Sequence, residues 1–505
     1  MGEVNKDENM GKVGVGALFL LSSGVICKAH GALFRLPLTN MLGFEGIGVF
    51  QIVMSLFSLA LVVSSGGVSA TLSKLISTAR ARKENVKVKS YLIRAFVVCV
   101  GIGLVLGLVF LSAGKGISHF QKIEENKSYL LFVLLVPLGS ALAVLRGYFQ
   151  GYENMLPTAI SQVVEQVTMF AFGLLFAYVF ARSGVAAGVF GSFVGVTISE
   201  AIALCVLFVW YFFKREKQPF ENDIFSRREF DRTNFTLTLS ASILPFVNAF
   251  DGLVIVPQLM RAGFSNNMAT KLFGLQSGAV GAILNLPLII SIAVATALLP
   301  NLSFIISKGR DPKRSIEKSL KALLFFVLPT TFGLVAISKQ VFPLFYTSFQ
   351  AEFLSVVFSL MLYGGFSIVF TAIMQLLLVI SQAYGKLKYN LIALVVGGVV
   401  KANLSFFLAS LPGVNIFALV FGNLALSGLV CVVLLAKLKQ LTNFSLSFKD
   451  LVMLIFGTLA MFFTVYNFLQ CDYFGATANL VVAILLGIVV YGVFTIGFVL
   501  KFFQK

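Results

Sequence analysis

Charged residues are scarce in this sequence, where Asp, Glu, Lys and Arg together make up only 12% of 505 residues. A soluble globular domain carries about 25% charged residues, which help to cover the surface that it shows to water. Hydrophobic residues make up 58% of the chain, so a water-soluble enzyme is excluded. Intrinsic disorder is excluded as well, because disordered chains combine low hydrophobicity with high net charge. The composition therefore predicts a polytopic membrane protein.

Cysteine and histidine are also rare, with five and two residues respectively. Four of the cysteines fall within apolar runs, and no C-x2-C or similar ligand spacing occurs. Small packing residues are the simplest interpretation of such cysteines. We therefore predict no disulfide framework, no metal site and no cofactor.

Long apolar runs separated by polar breaks divide the chain into fourteen candidate membrane spans. A spanning helix needs about 20 mainly apolar residues, because the hydrocarbon core is about 30 Å thick. The spans are 13–36, 46–73, 91–113, 128–148, 155–181, 185–213, 237–260, 272–304, 319–340, 353–382, 387–410, 414–436, 448–469 and 476–501. Inside lipid the backbone must satisfy its own hydrogen bonds, so these spans are predicted to be helices and the fold class all-α.

The distribution of basic residues predicts the orientation of these spans. If the N-terminus is cytoplasmic, 29 of the 39 Lys and Arg residues fall on the cytoplasmic side, including Arg146, and 8 fall outside. Basic loops are retained in the cytoplasm, so this segregation favours fourteen spans with both termini cytoplasmic. The net charge of +18 is then an orientation signal, and we expect no nucleic-acid partner.

An internal repeat relates the two halves of the chain at an offset of about 230 residues. The sequence VSATL at 68–72 matches VATAL at 294–298, and QGY at 150–152 matches QAY at 382–384. Parallel repeats of six helices place a substrate site between two lobes near the membrane midplane, which is typical of an alternating-access transporter. The predicted division is an N-lobe at 1–213, a cytoplasmic linker at 214–236, a C-lobe at 237–440 and an extra helix pair at 441–505.

Ionisable residues inside spans are costly, so each one is a functional candidate. Lys28 and Arg35 lie seven residues apart on one face of the first span, about 10 Å apart along its axis. Two cations on one face suit an anionic head group such as a diphosphate. The alternative for Arg35 is that its side chain extends to the outer interface.

Acidic and loop residues give further candidates. Asp251 in the seventh span would pair with Lys28 or Arg35, bind a coupling cation, or serve packing only. Glu165 in the fifth span is a weaker case of the same kind, as is Glu200 in the sixth. Arg261 and Lys271 flank an outer loop, where they would meet a head group on exit or simply be solvated.

Enzymatic chemistry has little support in this sequence. Membrane-embedded transferases need clustered carboxylates, usually with Mg²⁺ or a histidine base. Only a few acidic residues fall within spans, widely separated, and no G-x4-G-K-[ST] phosphate loop occurs. We therefore expect a transporter that is not an enzyme and is not driven by ATP bound to this chain.

Several short motifs are distinctive: KAHGALFRLPLTNMLG at 28–43, EGIG at 45–48, SGG at 65–67, RGYFQG at 146–151 with Asn154, PTAIS at 157–161 and NLP at 285–287. These segments resemble the polysaccharide-transporter branch of the multidrug/oligosaccharidyl-lipid/polysaccharide (MOP) exporter superfamily. Within this branch the chain resembles the stage V sporulation protein B-like group, which includes Gram-positive lipid II flippases. The resemblance covers nearly the whole chain.

The resemblance implies a fourteen-helix, two-lobed flippase in the bacterial cytoplasmic membrane. Such a protein moves undecaprenyl-diphosphate-linked sugars from the inner to the outer leaflet through a cationic, laterally open cavity. Lys28 and Arg35 match the family's basic positions in the first helix. Better-studied lipid II flippases carry further arginines in the second span and near the eighth-span Leu-Pro, and this sequence lacks them. The departure leaves teichoic-acid, capsular and spore-coat precursors open beside lipid II.

We expect a lipid-linked oligosaccharide and the surrounding membrane lipids as partners, together with a coupling cation. The main alternative is a cation-coupled multidrug exporter of the same superfamily, with Asp251 or Glu165 as the coupling carboxylate. A non-transporting scaffold for cell-wall enzymes is a further alternative, in which the basic loops matter and the charges of the cavity do not.

Overall fold

The computed structural model describes most of the chain. Its backbone is described for residues 4–503 except 85, 124–126, 215–223, 348, 443, 446 and 472, and side chains are not described at 4–30, 32, 214, 224–226 and 501–503. The α-helices run α1 Val4–Ser65, α2 Val68–Ala81, α3 Val86–Ala95, α4 Gly101–Phe120, α5 Phe132–Gly151, α6 Leu156–Ala181, α7 Val185–Lys214, α8 Ile224–Arg261, α9 Asn266–Phe273, α10 Gly281–Leu284, α11 Pro287–Ser307, α12 Lys313–Ala336, α13 Ser338–Phe345, α14 Leu354–Ala383, α15 Leu387–Ala409, α16 Phe417–Leu438, α17 Phe448–Phe468 and α18 Ala476–Phe503. Short π-helical turns at Phe96–Val100 and Gly274–Val280 join α3 to α4 and α9 to α10.

The all-α prediction is confirmed, since the described residues contain helices, turns and bends but no strand. Thirteen helical segments in the described part of the chain are long and apolar enough to cross a membrane. They correspond to the second to fourteenth predicted spans. The first predicted span, 13–36, falls mainly on residues whose side chains lie outside the description.

The first two spans are joined at a single glycine. Gly43 has φ 69° and ψ −179°, a backbone conformation that breaks the helix within α1. A residue with a Cβ adopts this region only at a cost, whereas glycine enters it freely. Pro37 lies inside the helix before the break, so the sharp change of direction occurs six residues beyond the proline.

The predicted eighth span, 272–304, is interrupted. The helix α9 ends at Phe273, a π-helical turn covers Gly274–Val280, and a regular long helix resumes only at Pro287. Proline lacks a backbone donor and favours the first turn of a helix, so Pro287 begins α11 naturally. The apolar run did not reveal this break, because the polar residues inside it, Gln276, Ser277 and Asn285, are too few to interrupt the run.

The chain forms two compact units, residues 1–274 and 275–505. In the first unit, α8 packs along α1 and the start of α2, where two glycines allow close approach. A Cβ at Gly67 would lie 2.6 Å from the backbone nitrogen of Thr238, and a Cβ at Gly252 would meet Ser55 Oγ. The predicted lobe boundaries at 213 and 237 come from the repeat and stay a prediction.

In the second unit, α17 and α18 pack against α12 along its length. Tyr491 of α18 donates a hydrogen bond to the carbonyl oxygen of Phe325 at 2.8 Å. Lys321 of α12 pairs with the buried Asp450 of α17, with 2.6 Å between Nζ and Oδ2. Gln340 of α13, just beyond the end of α12, donates to the carbonyl oxygen of Leu469 at 3.4 Å. Polar contacts therefore tie the last two helices to one turn of α12 and to α13.

Candidate functional site

The predicted cationic pair is only partly described. The side chain of Lys28 lies outside the described residues, so its role stays a prediction. Arg35 is half-buried on α1, two turns before the break at Gly43. Its carbonyl oxygen accepts a hydrogen bond from Thr39 Oγ1 at 2.7 Å. Arg35 thus lies near the end of the first span, where the helix changes direction.

Asp251 is buried within α8, with 6% of its surface exposed. The neighbouring Gly252 is the residue that approaches Ser55 of α1, so Asp251 lies in the region where these two helices pack. It is ten residues, or about 15 Å, from the end of α8 at Arg261. A carboxylate this far inside a membrane helix is a functional candidate. Its predicted pairing with Lys28 or Arg35 stays a prediction.

Arg261 and Lys271 lie on either side of the connection between α8 and α9. Arg261 is exposed, and its Nη1 donates to Gln258 Oε1 at 3.3 Å. Lys271 is half-buried in the last turn of α9. Both residues are close to a helix end, as the sequence predicted, and a role at the exit stays a prediction.

Glu165 forms an ion pair that the sequence analysis did not predict. Its Oε2 lies 2.6 Å from Nη2 of Arg146, and the two side chains are only 21% and 16% exposed. Arg146 also donates from Nε to Ser161 Oγ at 3.0 Å. The charged head of Arg146 therefore lies between α5 and α6, although the sequence analysis counted this residue with the cytoplasmic loops.

Helical spacing explains how Arg146 meets Ser161 and Glu165. The helices α5 and α6 are joined by a short turn centred on residues 153 and 154. Arg146 lies seven positions before this turn, and Ser161 lies seven positions after it. Glu165 follows Ser161 by one helical turn on the same face. This spacing places the two side chains on adjacent helices, but which faces of α5 and α6 meet is not evident from the sequence.

Glu200 of α7 completes a cluster of three ionisable side chains. It is 94% buried, since only 6% of its surface is exposed. A Cβ at Gly139 of α5 would lie 2.8 Å from Glu200 Oε2, so the carboxylate packs directly against α5. The negative charge of Glu165 disfavours the ionised form of Glu200, whereas the positive charge of Arg146 favours it. We call Arg146, Glu165 and Glu200 the carboxylate cluster.

A small pocket lies between helix ends of the first unit. It has a volume of about 240 Å³ and is lined by Glu45, Val49, Lys122, Ile123, Val185, Ala186, Asn266, Asn267 and Thr270. Asn267 Nδ2 donates a hydrogen bond to Glu45 Oε2 across this pocket. No group of three or more His, Cys, Asp or Glu suited to a metal ion occurs among the described residues.

Solved structures with a similar fold are membrane transporters. A lipid II flippase MurJ in an inward closed conformation matches with a TM-score of 0.74 at 17% identity, over 95% of this chain and 98% of that one. An inward-facing multidrug resistance transporter of the MATE family in the MOP superfamily matches with a TM-score of 0.66 at 15% identity, over 82% and 95%. The chain therefore shares the fold of these multi-pass membrane proteins.

Sequence comparison identifies the family. A family profile described as polysaccharide biosynthesis protein matches residues 13–306, which is more than half of the chain. The chain belongs to this family. Stage V sporulation protein B of Bacillus subtilis (strain 168) is 26% identical over 455 residues, covering 86% of this chain and 85% of the relative. Lipid II flippase MurJ of the same organism is 23% identical over 424 residues, covering 76% and 75%. The resemblance to polysaccharide transporters of the stage V sporulation protein B-like group is confirmed.

Proposed function

We propose that the protein is a flippase for an undecaprenyl-diphosphate-linked oligosaccharide, which it moves from the inner to the outer leaflet without enzymatic chemistry. The observation that carries the proposal is similarity along most of the chain, and not at one motif, to two relatives of B. subtilis. One of these is a lipid II flippase by name. We propose lipid II, the peptidoglycan precursor, as the first cargo to test.

Lys28 and Arg35 would hold the diphosphate. Hydrogen bonds between a charged donor and a phosphate oxygen are about twice as strong as neutral ones, and a low local dielectric strengthens them further. Arg35 is half-buried near the end of the first span, a position from which a guanidinium could accompany a head group toward the outer face. Both termini would be cytoplasmic, in the orientation that the basic loops favour.

The test is complementation of a strain depleted of its lipid II flippase. We expect the wild-type chain to restore growth, and the double variant Lys28→Gln/Arg35→Gln to insert normally but fail. Arg182→Gln is the matched control, because Arg182 is an exposed arginine at the end of α6. Normal growth with the double variant would refute a role of these cations in transport.

The identity of the cargo needs a second measurement. The lipid-linked intermediate that accumulates in the inner leaflet on depletion of the protein in its own host should be the cargo. Accumulated lipid II supports the proposal, whereas an accumulated teichoic-acid or capsular precursor assigns a different sugar to the same mechanism.

A cation-coupled multidrug exporter is the second candidate. It is favoured by the buried carboxylate of Asp251, which would bind the coupling cation. Drug resistance that depends on Na⁺ or H⁺ and is lost in Asp251→Asn, without a cell-wall defect, would support this candidate over the flippase.

A further inference from the structure

The carboxylate cluster contains a buried oxygen with no described partner. Glu200 Oε2 has almost no exposed surface and accepts no hydrogen bond from the described residues. Glu200 is fifteen residues from the start of α7 and fourteen from its end, so it lies about 21 Å from the nearer end. A carboxylate at such a depth is far from either membrane surface.

The charges around Glu200 do not balance if both glutamates are ionised. The charged groups that act on it are Glu165 of α6 and Arg146 of α5, and these two already form an ion pair at 2.6 Å. The other helix packed on this side, α1, contributes Leu61, whose side chain lies beside the same point of Gly139. The one guanidinium that acts on Glu200 is therefore already paired with Glu165, and an unpaired buried charge costs several kcal/mol.

A metal ion is a poor solution to this imbalance. Ca²⁺ and Mg²⁺ take six or more oxygen ligands, and Na⁺ likewise needs several oxygens around it. Beside Gly139, Glu200 Oε2 shares its space with the apolar Cδ1 of Leu61, and no group of three or more His, Cys, Asp or Glu suited to a metal ion occurs in the described part of the chain. A proton needs no ligand shell, and a neutral carboxyl group can be buried at a much lower cost than a carboxylate.

We propose that Glu200 is a reversible proton-binding site within residues 1–274, where the Arg146–Glu165 ion pair controls release of the proton. With its proton bound, Glu200 is neutral and Arg146 pairs with Glu165. When the proton leaves to water, two carboxylates compete for one guanidinium, and the contacts among α5, α6 and α7 must change. If the proposed transport function is correct, proton exchange at this site would be coupled to movement of the cargo.

Infrared spectroscopy of the full-length protein in nanodiscs tests the proton site without any transport assay. A protonated carboxyl group gives a carbonyl band that shifts in D₂O. We expect this band at neutral pH in the wild type and its loss in Glu200→Gln, which keeps the shape of the neutral acid. Glu352→Gln is the matched control, since Glu352 is exposed. Absence of the band from the wild type, or its persistence in Glu200→Gln, would overturn the proposal.

A second variant covers the case in which Glu200→Gln does not insert. In Glu165→Gln the guanidinium of Arg146 loses its acceptor and is free to pair with Glu200, so we expect the band to disappear at neutral pH and return on acidification. An unchanged band in Glu165→Gln would contradict control by the ion pair. Loss of the wild-type band on exchanging choline chloride for sodium chloride would identify a metal-cation site and also overturn the proposal.

Growth complementation then separates this inference from the proposed function. If the wild type complements and the proton is used in transport, Glu200→Gln should insert and fail to complement, because its side chain cannot release a proton. Full complementation by Glu200→Gln would refute the coupling. If the wild type itself fails to complement, the proposed function fails, and the infrared result still decides whether Glu200 binds a proton.

Discussion

The contact between α6 and α7 gives the sharpest test of the packing described above. A Cβ at Gly195 of α7 would clash with the backbone of Gly173 and lie 2.5 Å from the carbonyl carbon of Phe172. Ordinary van der Waals contact begins near 3.4 Å, so Gly195→Ala must separate the two helices by about 1 Å. Backbone atoms cannot rotate away as a side chain can. Overpacking of this kind costs about 1–3 kcal/mol.

Thermal unfolding in detergent measures this cost. At about 2 °C per kcal/mol for a unit of this size, Gly195→Ala should lower Tm by about 2–6 °C. The chain has one tryptophan, Trp210, and it lies on α7, so its fluorescence reports directly on this helix. Gly116→Ala is the control, because a Cβ at Gly116 of α4 meets no atom within 4 Å. Equal Tm values for the two variants would refute the close approach of α6 and α7.

Two further predictions concern single contacts. Gly43→Ala should destabilise the protein by about 1–3 kcal/mol through backbone strain alone, since no atom lies within 4 Å of its Cβ position. The control Gly31→Ala, at a position that is equally open but helical, should show no such loss in Tm. Asp450→Asn should lower the free energy of unfolding by about 1.5–3 kcal/mol by removing the charged acceptor of Lys321. The control Glu352→Gln, at an exposed site, should leave it unchanged. Equal thermal stability of these two variants would show that the Lys321–Asp450 pair contributes nothing to stability.

The membrane helices could be predicted from the sequence because the signal for each is local. About 20 consecutive apolar residues are sufficient to identify a span, and polar breaks separate the spans. The break at Gly43 falls in the predicted connection between the first and second spans, whereas the break at 274–286 lies inside the predicted eighth span and was not predicted. The polar residues of its π-helical turn, Gln276 and Ser277, are too few to interrupt a long apolar run. Composition therefore locates helices well and their irregularities poorly.

The candidate site was only partly predictable for a different reason. Glu165 was recognised as costly in a membrane, but its partner Arg146 was assigned to the cytoplasmic side from its place near the end of a span. Ion pairing depends on which faces of two helices meet, and that depends on contacts between residues far apart in the sequence. Glu200 shows the same difficulty, because its burial depends on Gly139, which lies 61 positions earlier in the chain.

The attachment of α17 and α18 to α12 has a mechanical consequence. Asp450 and Tyr491 contact α12 at Lys321 and Phe325, which are one helical turn apart, and Leu469 contacts Gln340 of α13. Sliding of α12 and α13 past the last two helices would break all three contacts, so we expect these helices to move together. The C-terminal pair would then enlarge the mass and the lipid-facing area of the group of helices that moves with α12.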